Sequence, residues 1–319
     1  MLIYLDWNVF DRIEKIERLK EDEKIIYTKL ETIISHEEVH VPYSNAHLRD
    51  LLRGYKKNPN FINGHLQVIE KITNNLCICQ YWKKKKSTWH YRSVNEFFDE
   101  LKNEKVDEEE SFEDLIDWDT SGLWELQIKL MAMQPVPKEF RLIYSEDPIF
   151  NIMYPRTKKE MTLLASASDL HNFSILINKD YSLYKSLKKF IIKAMHKLKK
   201  SPQIVAKLKP LTKEAPNYLE IDSIFDEFSK NQKIENDNPY YHKIFDTFFR
   251  YDIKGYKTDS QFPNMVDDGL HTFYAAHCDM FLTNDDRCKY KAEKTFERLK
   301  IKTKVYTAKE FIEEIENKN

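Results

Sequence analysis

Leu2-Ile3-Tyr4-Leu5-Asp6-Trp7-Asn8-Val9 and Cys278-Asp279-Met280-Phe281-Leu282-Thr283-Asn284-Asp285 decide the fold. Each stretch reads as a short apolar strand ending on a carboxylate, with helical periodicity following. Strands this short and uniformly apolar belong inside a parallel sheet covered on both faces. In such sheets ligands bind in the crevice outside the carboxyl ends of the strands. Asp6 and Asp285 are therefore delivered to one edge from opposite ends of the 319 residues.

Outward from Asp6, Val9, Phe10, Ile13, Ile16 and Leu19 recur at helical spacing, and Ile25 to Ile34 renew the pattern. Val39 to Pro42 predicts a second strand, and Ser44 stands where a helix N-cap is wanted. That helix runs through Leu48, Leu51 and Leu52, with Gly54 placed to end it. A further helix over 61–73 and a strand from Leu76 to Tyr81 complete a β-α-β-α-β alternation, the signature of a parallel sheet. Alternation returns after Pro263: helix 267–277, strand 280–283, helix 287–299 and strand 304–306. Thr307 with Glu310 then forms a capping box before Phe311 and Ile312. The reading is an α/β parallel-sheet domain made of 1–81 and 266–319, interrupted by a mainly helical insertion over 82–265.

Composition narrows the class. An apolar fraction of 41% with 13% aromatics is enough for a core, and a net charge of −1 selects no partner. No apolar run reaches the roughly 18 residues of a membrane span. The start lacks a secretory leader pattern, so a cytoplasmic, membrane-free protein is expected. Cys77, Cys79, Cys278 and Cys288 contain no CxxC pair and are expected as buried free thiols. The five glycines are too scattered for a phosphate-binding loop or a dinucleotide fingerprint.

Four acidic motifs then line up. Asp6-Trp7-Asn8-Val9 follows the first strand. Ser44-Asn45-Ala46-His47-Leu48-Arg49-Asp50-Leu51 opens the helix after the second. Asp268-Gly269-Leu270-His271, beside Asp267, opens a later helix, and Thr283-Asn284-Asp285 follows the next strand. In this order they resemble the PIN-domain nucleases over about residues 1–80 and 260–319. The departure is Asp50, where that family usually has Glu. The resemblance implies a Rossmann-like three-layer fold and hydrolysis of phosphodiesters, with single-stranded or structured RNA preferred over DNA. It implies Asp6, Asp50, Asp268 and Asp285 as catalytic metal ligands, with Asn8, Ser44 and Asn284 supporting them. An endoribonuclease with a toxin- or defence-like role, restrained by a regulatory protein partner, follows by analogy.

The chemistry agrees with that set. Carboxylates gathered within a few ångströms repel one another and cannot all stay ionised unaided. A divalent cation removes the conflict, and hard oxygen ligands select Mg²⁺ or Mn²⁺. His47, one helical turn before Asp50, and His271, three residues after Asp268, are further candidates for the same crevice.

Charge outside the motifs is blocked. Lys83 to Lys86 precede Trp89 and Tyr91, and residues 96–119 carry twelve acids against two lysines. Residues 185–214 carry ten lysines and one glutamate. The last is a candidate nucleic-acid ridge, with Lys188, Lys189, Lys193 and Lys197 as contacts, or a solvated helix face. Two alternative functions stand beside the nuclease. One is a catalytically silent PIN-like scaffold binding RNA or protein through its insert. The other is a haloacid-dehalogenase-like phosphatase, whose chemistry wants an acid where Asn8 stands.

Overall fold

The computed structural model describes residues 1–56, 59, 62–81, 83–103, 130, 133, 147–155, 162–200, 220–223, 225–226, 238–255 and 262–317. β1 (Ile3–Leu5) pairs in parallel with β5 (Met280–Leu282), and β5 with β6 (Lys304–Tyr306). Tyr4, Phe281 and Val305 share one register row. β2 (Tyr43–Ser44) pairs in parallel with β3 (Leu76–Cys79), which pairs antiparallel with β4 (Thr88–Tyr91). An isolated parallel bridge between Leu2 and His40 links the segment leading into β2 to the start of β1. β1 thus has neighbours on both sides, and the chain runs on from β1 toward β2 on one side and from β5 to β6 on the other, the arrangement that opens a crevice at a strand end.

Alternation along β1 assigns the layers. Ile3 and Leu5 join one core and Tyr4 the other, all three with no exposed surface. The first core packs α1 (Trp7–Glu14), α2 (Glu21–Ile34) and α12 (Ala308–Glu316) through Phe10, Leu30 and Phe311. α3 (Asn45–Tyr55), α4 (Ile62–Thr73) and α5 (Val94–Asn103) extend it. The second core packs α9 (Pro239–Ile253), α10 (Phe262–Ala275) and α11 (Asp286–Leu299) through Ile244, Phe273 and Phe296. The result is an α/β domain with helices on both faces of the sheet. Gly269 permits the close approach of α10 to α9, because a methyl there would lie 3.0 Å from Cζ of Phe245.

Local signals set the helix starts. Thr307 and Glu310 form the expected capping box. Ser44 caps α3, but His47 takes the place of the usual acid, its Nδ1 accepting from the Ser44 amide at 3.0 Å. Gly54 does not end α3, which runs one residue further in ordinary helical geometry.

Two compact units divide the chain: Met1–Glu104, Phe225–Thr258 and Asn264–Asn319 form one; Lys105–Ile224 and Asp259–Pro263 form the other. The boundaries differ from the expected 82–265 insertion. β4, α5 and α9 pack with the sheet, since Val94, Phe97 and Ile244 are core residues of that unit. β4 itself was hidden by the lysine run before it, although Thr88-Trp89-His90-Tyr91 has strand-forming residues at alternating burial.

Within the second unit, α6 (Pro148–Met153), α7 (Leu163–Lys179) and α8 (Tyr181–Lys199) share a small core around Phe150, Tyr154 and Phe190. Asp147 caps α6 and its other oxygen pairs with Lys193 at 3.1 Å. Lys188 is only 5% exposed, its ammonium 4.2 Å from the Tyr184 ring centroid, so it does not belong to an outward-facing ridge. Lys189 and Lys197 are exposed. The tract beyond 200 and the acidic stretch beyond 103 lie outside the described residues. Among the described residues no helix is long and apolar enough to cross a membrane.

Candidate metal centre at the carboxyl ends of the strands

Asp6 is the N-cap of α1, and its buried carboxylate is fixed from three sides. Oδ1 accepts from the Trp7 amide at 2.7 Å, and Oδ2 accepts from Asn8 Nδ2 at 2.5 Å and Thr283 Oγ1 at 2.6 Å. Asn8 in turn accepts the Asn284 amide at 2.9 Å, tying the end of β1 to the end of β5. This leaves Asp6 Oδ1 facing His271, whose Nε2 lies 3.7 Å away. His271 Nε2 also lies 2.9 Å from Oδ2 of Asp50 on α3. Among the described residues, Asp6, Asp50 and His271 form a group whose ligand atoms lie within 4.8 Å of one another.

A buried relay holds the imidazole. Nδ1 of His271 is 3.0 Å from the Tyr4 hydroxyl, which is 2.7 Å from Ser44 Oγ. Ser44 Oγ also accepts the Ala46 amide at 3.2 Å, so the helix cap and the imidazole support share one hydroxyl. His47 is separate from the group. Its Nδ1 accepts the Ser44 amide, so its Nε2–H donates to the Leu5 carbonyl at 2.7 Å. Burial and then the charge of His271 push its pKa down to about 3, and it stays a neutral structural strut.

Electrostatics explain how the acids coexist. Burial opposes the His271 imidazolium, but the charges of Asp6 and Asp50 and the hydrogen bond to Asp50 outweigh it and raise its pKa. Burial also raises Asp6, against the His271 charge and the Thr283 bond. Asp50 is lowered: burial works upward, and His271 and Arg53 overcome it. Arg53 contacts Asp50 and reaches Asp267 at 2.6 Å. Asp267 nevertheless rises to about 6, through burial and then repulsion from Asp50.

The remaining predicted residues occupy the same end of the sheet in other roles. Asp285 is exposed and caps α11, Oδ1 accepting from Arg287 at 2.7 Å and Cys288 at 3.1 Å. Asp268 is half-buried on α10. Both stand outside the three-residue group. They still share its field: burial, then Asp268 and Asp6, and less strongly Asp285, push the Cys288 thiol up. Asn284 supports the scaffold, with Nδ2 donating to the Tyr27 hydroxyl at 2.5 Å and Oδ1 accepting from Ala308 at 3.3 Å. Sequence reasoning missed Tyr4, Arg53 and Asp267 as members of the network. Arg53 at three residues from Asp50, and Asp267 at four from His271, had the helical spacing to be found.

The donor set suits a divalent cation. Two carboxylates and an imidazole can ligate one ion, and a second-sphere partner on the other ring nitrogen is usual for a ligating histidine; Tyr4 is placed there. Beside Asp50 a groove of about 710 Å³ opens, lined by Trp7, Lys15, Arg18, Leu51 and Ile62 among others. No family model, curated protein or solved structure matches this chain.

Proposed function

We propose that the protein is a divalent-cation-dependent nuclease of PIN-like fold, hydrolysing phosphodiesters of single-stranded or structured RNA. The observation that carries this reading is the Asp6–Asp50–His271 group, drawn from three distant segments to the carboxyl ends of the strands. Asp6, Asp50 and neutral His271 would hold the ion. A bound cation supplies charge stabilisation at the phosphate and a more acidic water.

The chain's own groups do the rest. Asn8 and Thr283 hold Asp6 Oδ2 and the Trp7 amide holds Oδ1, so the carboxylate is fixed and would meet the ion through Oδ1, the oxygen nearer His271. Tyr4 fixes the ring plane of His271. Asp268 and Asp285 form the acidic wall that orients the attacking water. The groove beside Asp50 takes the flanking nucleotide, with Trp7 as a stacking surface. Because one donor is an imidazole, Mn²⁺ is favoured over Mg²⁺, which prefers oxygen ligands. Exposed Lys189, Lys193 and Lys197 are proposed as nucleic-acid contacts, and a regulatory protein partner remains part of the reading.

A second reading, a catalytically silent scaffold, is favoured by Arg53 already pairing with Asp50 and Asp267 and by the two carboxylates raising the pKa of His271 against its burial. Cleavage of a mixed single-stranded RNA pool with Mn²⁺ or Mg²⁺ separates the two. The wild type should cleave and Asp6→Asn should not. Equal cleavage by both overturns the mechanism, and no cleavage by either leaves the scaffold.

A further inference from the structure

β3 carries chemistry that the metal centre does not use. Cys77 and Cys79 are two residues apart on one strand, so their side chains share a face, and their Sγ atoms lie 3.3 Å apart. Two residues of strand place the Cα atoms roughly 6.6 Å apart, within the span of up to about 6.8 Å that disulfides bridge. That spacing is at the upper end of the span, so closing the bond draws β3 in and works against its ladder with β2.

The two thiols are not equivalent. Cys77 has no exposed surface and sits against Tyr43. Cys79 is 4% exposed and borders a cavity of about 490 Å³, whose wall also holds Tyr81 and Arg92. Arg92 is held beside it by the Phe97 ring, whose centroid lies 3.6 Å from its Cζ, and by an ion pair with Glu100. A hydrogen bond from Cys77, the Arg92 charge and the Tyr81 hydroxyl hold Cys79 below the ordinary thiol range. The bond to Cys79 and burial push Cys77 far above it. A small oxidant entering the cavity therefore meets the more acidic sulfur first.

We propose that Cys77 and Cys79 are a hydroperoxide-reactive dithiol, with Cys79 the attacking sulfur and Cys77 the resolving one. The Cys79 thiolate attacks an oxygen of the hydroperoxide. The O–O bond breaks, the departing alkoxide takes a proton and leaves as alcohol (water, from hydrogen peroxide), and Cys79 becomes a sulfenic acid. The Cys77 sulfur then attacks Cys79. The S–O bond breaks, an S–S bond forms, and the hydroxide leaves as water with the Cys77 proton. Two thiols lose two electrons in total, and the hydroperoxide gains them.

A disulfide between residues this close along a strand strains the ladder, the property of labile rather than structural bridges. Cys77 pairs with Tyr43 and Ile78 with Ser44, so closure pulls on the strand whose Ser44 supports Tyr4 and His271. The proposal does not depend on the nuclease reading.

The test is hydrogen peroxide treatment of the reduced full-length protein, then alkylation in denaturant and mass analysis of the tryptic peptide 72–83. In the wild type this peptide should lose the mass of two hydrogen atoms before Cys278 or Cys288 changes, and dithiothreitol should restore it. In Cys77→Ser, Cys79 should accumulate as a sulfenic acid and take a dimedone adduct. In Cys79→Ser, Cys77 should react about ten-fold more slowly or less. Two thiols still alkylatable after peroxide, or a Cys79→Ser variant that oxidises as fast as Cys77→Ser, would overturn it. The wild-type comparison with Cys278 and Cys288 needs no variant, so a serine variant that fails to fold leaves the question decidable.

Discussion

His271 Nε2 lies 2.9 Å from Asp50 Oδ2 across 221 positions of sequence, and the contact joins the two cores of the sheet domain. Asp50 rides on α3, which is packed with α1 and α4, whereas His271 rides on α10 against Phe281. Neither helix alone can gather charge at the end of β1. Together they place an imidazole between two carboxylates, where a proton or a metal ion can serve as the shared counter-charge.

Metal binding should therefore stabilise the fold. A ligand that binds only the native state adds ~2.7 kcal/mol at a hundred-fold excess over Kd. Mn²⁺ should raise the unfolding temperature of the wild type more than Mg²⁺ does, and neither should shift Asp6→Asn. Tyr4→Phe keeps the buried ring but frees the imidazole, and Mn²⁺ affinity should fall about 10–100-fold. Calorimetric titration checks both. An unchanged Mn²⁺ affinity in Asp6→Asn would remove Asp6 from the site.

Without metal, stability should fall as pH rises from about 4 through neutrality. His271 has its pKa raised by folding. Its contribution is full below the unfolded value of about 6.5 and is lost as pH passes the folded value. Asp267, held at about 6, has the same sign at lower pH: the folded state keeps the proton that the unfolded chain releases near 4. Asp50 acts oppositely, losing its contribution only as acid protonates it below the unfolded range. Denaturation in EDTA should show a shallower loss above pH 6 in His271→Gln. Asp267→Asn should gain about 2 kcal/mol at pH 7. A slope identical to wild type in His271→Gln contradicts the assigned charge.

Lys291 and Asp252 are both fully buried and 3.1 Å apart, with the ammonium 4.7 Å from the Phe248 ring centroid. Removing one partner strands the other charge away from water. Lys291→Met or Asp252→Asn should each cost about 3–5 kcal/mol by urea unfolding. The double variant should recover part of that loss. Additive single losses would mean that the two charges do not act as a pair.

Joint neutralisation of Lys189, Lys193 and Lys197 should weaken RNA binding and flatten its salt dependence, because fewer counterions are released. Lys188→Ala should instead lower stability, since its side chain is buried against Tyr184. An unchanged salt slope in the triple variant would make α8 a plain solvated face.

The legible features were local ones. Ser44, Thr307 and the strand-ending Asp6 announce helix starts because a cap needs only the next three residues. The short apolar runs at 2–5 and 280–283 reveal a buried parallel sheet because period and length survive in one dimension. Asp50 is legible as an acid one turn after His47 on the helix following the second strand, whereas Asp267 is legible only as a neighbour of Asp268, although it shares Arg53 with Asp50. β4 went unread because four lysines outweighed the strand-forming residues behind them. Lys188 looked exposed for a similar reason, as a tract of like charge conceals which member turns inward.

The sequence by itself determined the strands that end on Asp6 and before Asp285, their place in a parallel sheet and the helix caps beside them, since each depends on neighbours within a few residues. Only the tertiary structure decided that His271 joins Asp6 and Asp50, that Asp285 caps a helix outside that group, and that β4, α5 and α9 pack with the sheet. Those outcomes depend on which faces of distant helices meet. That meeting is set by the shape of the two cores, which no single stretch of the chain contains.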